Sequence, residues 1–109
     1  MIRPELLRDI RDLANEELLY ANQKFPAFAS PHEGYAVLKE EVEETLDEAK
    51  GLERNISALW AGIKENENVI PYIGYIEVYA LQCAAEAIQV AAMCKKYRDS
   101  LEKGGVRSE

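Results

Sequence analysis

The feature that most constrains the fold is an acidic stretch, residues 32–50, in which apolar and charged side chains recur with the period of an α-helix. At about 100° per residue, one face collects apolar side chains and both flanks collect carboxylates. The apolar face contains Tyr35, Leu38, Val42, Leu46 and Ala49, and the flanks contain Glu40, Glu41, Glu43, Glu44, Asp47 and Glu48. Neighbouring carboxylates on a helix repel each other by about 0.2–0.5 kcal/mol per pair. We therefore expect this helix to bind a cation.

A first helix precedes the acidic stretch. Pro4 suits the first turn of a helix, and apolar residues keep a helical period from there to about Lys24. The connection over residues 25–31 contains two prolines, which cannot both lie inside one regular helix. We expect its two aromatic side chains, Phe25 and Phe28, to pack on the core.

The acidic helix has recognisable start and stop signals. Ser30 is the predicted N-cap, Pro31 takes the first helical position and Glu33 the third, which is the pattern of a capping box. Gly51 predicts the end of this helix, or a kink in it, near Lys50.

Two more helices are predicted after Gly51. The first is short and amphipathic, with an apolar face formed by Ile56, Leu59, Trp60 and Ile63. A polar turn over residues 65–68 separates it from a long helix that runs from about Pro71 to about Leu101. The long helix is rich in alanine on its packing face, which favours close approach by another helix.

A chain of 109 residues is long enough for one domain with its own core. We predict a single all-α domain over residues 1–103, built as a bundle of three main helices plus one short helix, and a flexible tail over residues 104–109. The long helix would measure about 45 Å, more than one small bundle needs. We therefore expect dimerisation to complete the bundle, in a homodimer or a homotetramer.

The formal net charge is −7 and the sequence pI is near 4.8, which disfavours a nucleic-acid polymer as the main partner.

Cys83 and Cys94 lie eleven residues apart on one predicted helix. That spacing corresponds to about 16 Å, beyond disulfide reach. The weakly charged run from Val78 to Cys94 contains Glu86 and two glutamines, and is too polar to span a bilayer. We expect a cytoplasmic protein with no membrane partner.

The long helix carries one conspicuous carboxylate, Glu86, among alanines. It lies about 100° from the apolar face centred on Ala87, and Glu41 bears the same relation to Val42. If the two helices pack through these faces, Glu41, Glu44 and Glu86 meet at one margin of the core. Three or four carboxylate oxygens with open positions suit Mg²⁺ when the ion must also hold phosphates and water.

Two motifs in this sequence resemble those of a known family. Residues 39–44, Lys-Glu-Glu-Val-Glu-Glu, resemble the first motif, E-E-x-x-E, of the MazG-like all-α nucleoside triphosphate pyrophosphohydrolases. Residues 86–89, Glu-Ala-Ile-Gln, stand where the family has its second motif, E-x-x-D, on a later helix. The flanking segments are similar to those of short phage- and prophage-type members. The resemblance covers about residues 30–97 and implies a MazG-like helical bundle.

The resemblance also implies an activity, the Mg²⁺-dependent cleavage of a nucleoside triphosphate into a nucleoside monophosphate and pyrophosphate, with Mn²⁺ as an alternative ion. By analogy the metal ligands would be Glu41, Glu44, Glu86 and Gln89. Glu40 or Glu48 would orient or deprotonate the attacking water. The chain departs from the family at Gln89, where the motif has Asp. Glutamine offers a neutral carbonyl oxygen as a ligand and supplies no negative charge.

Two candidate substrate contacts each have a plainer interpretation. Lys95 could reach the phosphates or simply complement the C-terminal half of the long helix. Trp60 could stack on the nucleobase or pack in the core or a dimer interface.

For the whole chain, the alternative to an enzyme of nucleotide-pool control is a binding module that has lost turnover through Gln89. A di-iron carboxylate bundle is disfavoured, since the sequence has no E-x-x-H pair.

Overall fold

The computed structural model describes residues 1–102, and this part of the chain consists of three α-helices without any strand. The helices are α1 (Pro4–Asn22), α2 (Pro31–Lys64) and α3 (Ile70–Glu102). α2 and α3 form a long antiparallel hairpin, and α1 packs against α3. The all-α prediction is confirmed. The predicted flexible tail at 104–109 lies outside the described residues.

The prediction of a separate short helix is wrong. α2 is a single helix of 34 residues, so the acidic segment and the segment around Trp60 are continuous. Gly51 lies inside α2 and is buried, and a Cβ atom at this position would overlap the ring of Tyr79 on α3. The glycine therefore permits close approach of two helices and does not end one of them.

The same glycine–tyrosine contact occurs at two further points along the hairpin. A Cβ on Gly34 would come within 2.5 Å of the Tyr97 ring, and a Cβ on Gly62 within 2.9 Å of the Tyr72 ring. Both glycines are buried in α2, and both tyrosines belong to α3. Together with the contact at Gly51, these contacts fix the register in which α2 and α3 pack.

The start of α2 is capped as the sequence predicts. The Ser30 hydroxyl oxygen accepts a hydrogen bond from the backbone N–H of Glu33 at 3.1 Å. The Glu33 carboxylate in turn accepts one from the backbone N–H of Ala29 at 2.7 Å, one residue before the N-cap. Pro31 occupies the first turn. These bonds satisfy N–H groups that have no partner within the helix.

The buried core is small and lies at one end of the hairpin, where α1 and the 25–29 connection cover it. It consists of Leu18, Phe28, Ala92 and Met93, with Ala21, Val37, Leu38 and Tyr97 packed around it. Phe28 is buried as predicted, whereas Phe25 is 71% exposed, contrary to the prediction that both would pack on the core. The core thus anchors α1 and the connection to only one half of the hairpin.

The remaining half of the hairpin extends away from this core. The radius of gyration is 18.1 Å and the molecule measures 60 × 30 × 24 Å, whereas a compact chain of 100 residues has a radius of gyration of about 13 Å. Large apolar side chains remain exposed on both helices of this half, among them Leu46, Ile56, Trp60, Ile63, Ile70 and Ile73.

Two smaller predictions concern the cysteines and membrane insertion. Cys83 and Cys94 are free thiols, and Cys83 is the more buried of the two. In residues 1–102, no helix combines the length and the apolar character that crossing a bilayer requires.

Candidate metal centre

The antiparallel packing of α2 and α3 gathers three carboxylates. One oxygen from each of Glu41, Glu44 and Glu86 lies within 4.8 Å of the others. Glu41 and Glu44 lie one helical turn apart on α2, and Glu86 lies on α3, the other helix of the hairpin. Glu41 and Glu86 are half-buried and Glu44 is exposed. We call this set the acidic cluster.

The carboxylates of the acidic cluster repel one another electrostatically. Burial raises the pKa of Glu86, and a hydrogen bond with Glu44 and the charges of Glu44, Glu41 and Glu48 raise it further. Burial also raises the pKa of Glu41, and the charges of Glu44 and Glu40 add to the effect. A cation placed among these oxygens would oppose each of these effects, because it favours the ionised carboxylates.

The two predicted water-activating residues differ in their surroundings. Glu48 is half-buried on α2, and its Oε2 atom is buried without a hydrogen-bond partner among the described residues. Its charge also reaches Glu86, whose pKa it raises. Glu40 is exposed, and its charge contributes to the raised pKa of Glu41. Both carboxylates therefore lie beside the acidic cluster, and Glu48 is the one with an unsatisfied buried oxygen.

Gln89, the residue that departs from the family motif, is half-buried and bonded to α1. Its Nε2 atom donates a hydrogen bond of 2.8 Å to the carboxylate of Glu17. The amide orientation that makes this bond leaves Oε1 as the acceptor end of the side chain. A pocket of about 290 Å³ lies at this point between α1 and α3, and Glu16, Glu17, Glu86 and Gln89 line it together with apolar side chains. Through Glu86, the acidic cluster thus borders a space that could admit a ligand.

The two candidate substrate contacts lie away from the acidic cluster within one chain. Lys95 is exposed and faces a different pocket of about 360 Å³, between α1 and the C-terminal part of α3. Trp60 is 59% exposed near the far end of α2, with the Lys64 ammonium 5.6 Å from its ring centre. The helix rise places Trp60 roughly 24 Å along the axis from Glu44.

Sequence reasoning missed one participant, Glu17, which holds the Gln89 amide. Its contact depends on how α1 docks on α3, and no local pattern reports that docking. The only available signal was weak: Glu17 adjoins Leu18, which lies on the apolar face of α1 and is buried in the core.

Comparison with protein-family models, with curated proteins and with solved structures finds no match for this chain.

Proposed function

We propose that this protein is a Mg²⁺-dependent nucleotide pyrophosphohydrolase of the MazG-like all-α type, which converts a nucleoside triphosphate into a nucleoside monophosphate and pyrophosphate. The observation that carries the proposal is the convergence of Glu41, Glu44 and Glu86, contributed by two motifs on different helices, within 4.8 Å. The cellular role would be control or cleansing of the nucleotide pool, in the cytoplasm.

The chemistry of the acidic cluster fits Mg²⁺. The ion prefers oxygen ligands, and a small number of carboxylates leaves positions open for phosphate and water. Burial raises the pKa values of Glu41 and Glu86, and repulsion by neighbouring carboxylates raises them further, so that a cation would favour their ionised forms. Mn²⁺ takes the same ligands, so it would serve as a substitute.

The residues around the acidic cluster suggest a division of labour. Bound Mg²⁺ would supply charge neutralisation of the phosphates and a lowered pKa of the attacking water. Glu48 would accept a hydrogen bond from that water and hold it in line, because its Oε2 atom has no other partner within residues 1–102. Glu40, being exposed, would act mainly through its charge on Glu41.

Gln89 supports a second candidate function, a nucleotide- or metal-binding bundle without turnover. Its amide group is engaged with Glu17, and it contributes no negative charge to the site. An enzyme with this arrangement would hold its ion through three carboxylates and, at most, the neutral Gln89 Oε1 atom. Turnover by the wild-type protein distinguishes the two candidates.

We propose that a second copy of the chain packs on the exposed half of the hairpin. Large apolar side chains of both helices remain exposed on this half, among them Leu46, Ile56 and Trp60 of α2 and Ile70 and Ile73 of α3. Burying these side chains would complete a four-helix bundle, as a homodimer or as half of a homotetramer. In such an assembly, Trp60 would pack in the interface or stack on a nucleobase bound by the partner, and Lys95 would remain a candidate phosphate contact.

The test is pyrophosphate release from a panel of standard and oxidised nucleoside triphosphates, with Mg²⁺, with Mn²⁺ and with a chelator. We expect metal-dependent release with one or two preferred substrates. Glu86→Gln should abolish it. Glu77→Gln, which removes one charge from an exposed position of the same helix, should not. Absence of pyrophosphate release from folded wild-type protein would favour the binding bundle. Gln89→Asp would then test whether the missing negative charge explains the lack of activity.

A further inference from the structure

A third pocket, separate from the acidic cluster, lies at the end of the hairpin that α1 and the 25–29 connection cover. It has a volume of about 460 Å³ and is formed by the end of α1, the 25–29 connection and the facing parts of α2 and α3. Its walls include Phe25, Phe28, Glu33, Val37, Met93 and Lys96. Ten residues of α3, roughly 15 Å of helix, separate Lys96 from Glu86. A ligand of drug-like size fits a pocket of this volume.

Lys96 is the unusual residue of this pocket. The residue is only 6% exposed, and its ammonium lies 4.8 Å from the centre of the Phe28 ring. Burial lowers the pKa of Lys96, and the charge of Glu33 only partly opposes this effect. Within residues 1–102, Lys96 forms no salt bridge. An ammonium that is partly withdrawn from water at the wall of this pocket, without an ion-pair partner, would gain a charge-assisted hydrogen bond from a bound anion.

The wall around the ammonium is held in place by hydrogen bonds. The backbone N–H of Phe28 donates to the Ser100 hydroxyl at 3.0 Å, and that hydroxyl donates to the carbonyl oxygen of Lys96 at 2.8 Å. The Phe28 ring also packs edge-on against Tyr97, with the ring centres 5.9 Å apart. Because these contacts fix the aromatic ring and the lysine backbone together, a ligand would lose little free energy in ordering them.

We propose that this pocket binds a small organic anion with a single negative charge, a carboxylate attached to a flat apolar body. The carboxylate would pair with the Lys96 ammonium, and the apolar body would lie against Phe28 and Met93. Phe25, which is 71% exposed at this pocket, would cover the ligand. The Glu33 carboxylate also lines the pocket, and its negative charge disfavours a doubly charged phosphate more than a singly charged carboxylate. This site does not depend on the proposed pyrophosphohydrolase activity.

The experiment uses three aromatic probes that share one ring system: 2-naphthoate, its neutral counterpart 2-naphthylmethanol, and 2-naphthyl phosphate. Binding to the wild-type chain is measured by isothermal titration calorimetry, and the site is located by the NMR shifts of the Met93 methyl group. Lys96→Met removes the charge and keeps an apolar side chain of similar length. Lys50→Met, at an exposed position of α2, is the matched control for the loss of one positive charge.

We expect 2-naphthoate to bind the wild type and Lys50→Met equally, and to shift the Met93 methyl signal. Affinity should fall by about tenfold or more for Lys96→Met, and by a similar factor when the alcohol replaces the acid, because charge-assisted hydrogen bonds are much stronger than neutral ones. The comparison of acid with alcohol needs no variant, so it holds even if Lys96→Met folds poorly. Equal binding of acid and alcohol, unchanged affinity in Lys96→Met, tighter binding of the phosphate, or no binding at millimolar 2-naphthoate would each overturn the proposal.

Discussion

Replacing Glu86 by Gln should stabilise the metal-free protein, although it removes a side chain proposed to be functional. The nearest carboxylate oxygens lie within 4.8 Å of one another, and two unit charges at that separation interact by about 0.9 kcal/mol in water. Screening at physiological salt roughly halves this value. Glu86 faces two such neighbours, Glu41 and Glu44, so the variant should gain about 1 kcal/mol in the free energy of unfolding. For a domain of this size that gain corresponds to a rise in Tm of about 4 °C.

The assay is thermal unfolding followed by circular dichroism, first with a chelator and then with increasing Mg²⁺. A ligand that binds only the folded state at ten times its Kd stabilises it by about 1.4 kcal/mol. The wild type should therefore gain stability with Mg²⁺, and Glu86→Gln should gain little. Glu77→Gln, an exposed charge removal on the same helix, should follow the wild type. The reasoning is refuted if Glu86→Gln lowers Tm in chelator, or if both variants respond to Mg²⁺ alike.

Three further outcomes follow from the same structure. The raised pKa values of Glu41 and Glu86 add stability that is fully present below the unfolded carboxyl pKa of about 4.3 and is lost as the pH rises through the folded values. Tm in chelator should therefore fall across this window, and Mg²⁺ should flatten the fall. Gly51→Ala should lower the free energy of unfolding in urea by about 1–3 kcal/mol, because the added Cβ overlaps the Tyr79 ring. Gly74→Ala, at an open position, should raise it by up to about 1 kcal/mol. Equal effects of the two substitutions would contradict the proposed role of Gly51 in helix packing. In sedimentation, the wild type should be at least a dimer and Trp60→Glu a monomer, and a monomeric wild type would contradict the proposed interface.

The sequence was sufficient for those parts of the structure that depend on local patterns. Apolar periodicity predicted which segments are helical, although not that the second and third segments form one helix. The Ser30–Glu33 spacing predicted the cap at the start of α2, which the hydrogen bonds confirm. The expectation that Glu41, Glu44 and Glu86 would meet followed from their positions beside two apolar faces, and the structure brings one oxygen of each together. Local periodicity sufficed here because the packing of two long helices leaves few registers that bury both faces.

Other features required tertiary information. A glycine in a helical pattern can mark the end of the helix or a point where another helix approaches closely. At Gly51 the position of the Tyr79 ring on α3 shows that the glycine permits close approach. Similarly, the bond between Gln89 and Glu17 depends on the docking of α1, which adjacent sequence does not encode. The burial of Lys96 was also hidden, because an ammonium beside Phe28 requires the 25–29 connection to fold over α3.

The most direct test of the central claim, that the acidic cluster binds a divalent cation, is a titration of Mn²⁺ followed by electron paramagnetic resonance. The six-line signal of free Mn²⁺ weakens as the ion binds protein. We predict saturable binding by the wild type, displaced by Mg²⁺, and an affinity lower by about tenfold or more in Glu41→Gln, because a half-buried charged ligand is lost. Equal Mn²⁺ binding by the wild type and Glu41→Gln, or none by either, would contradict the account.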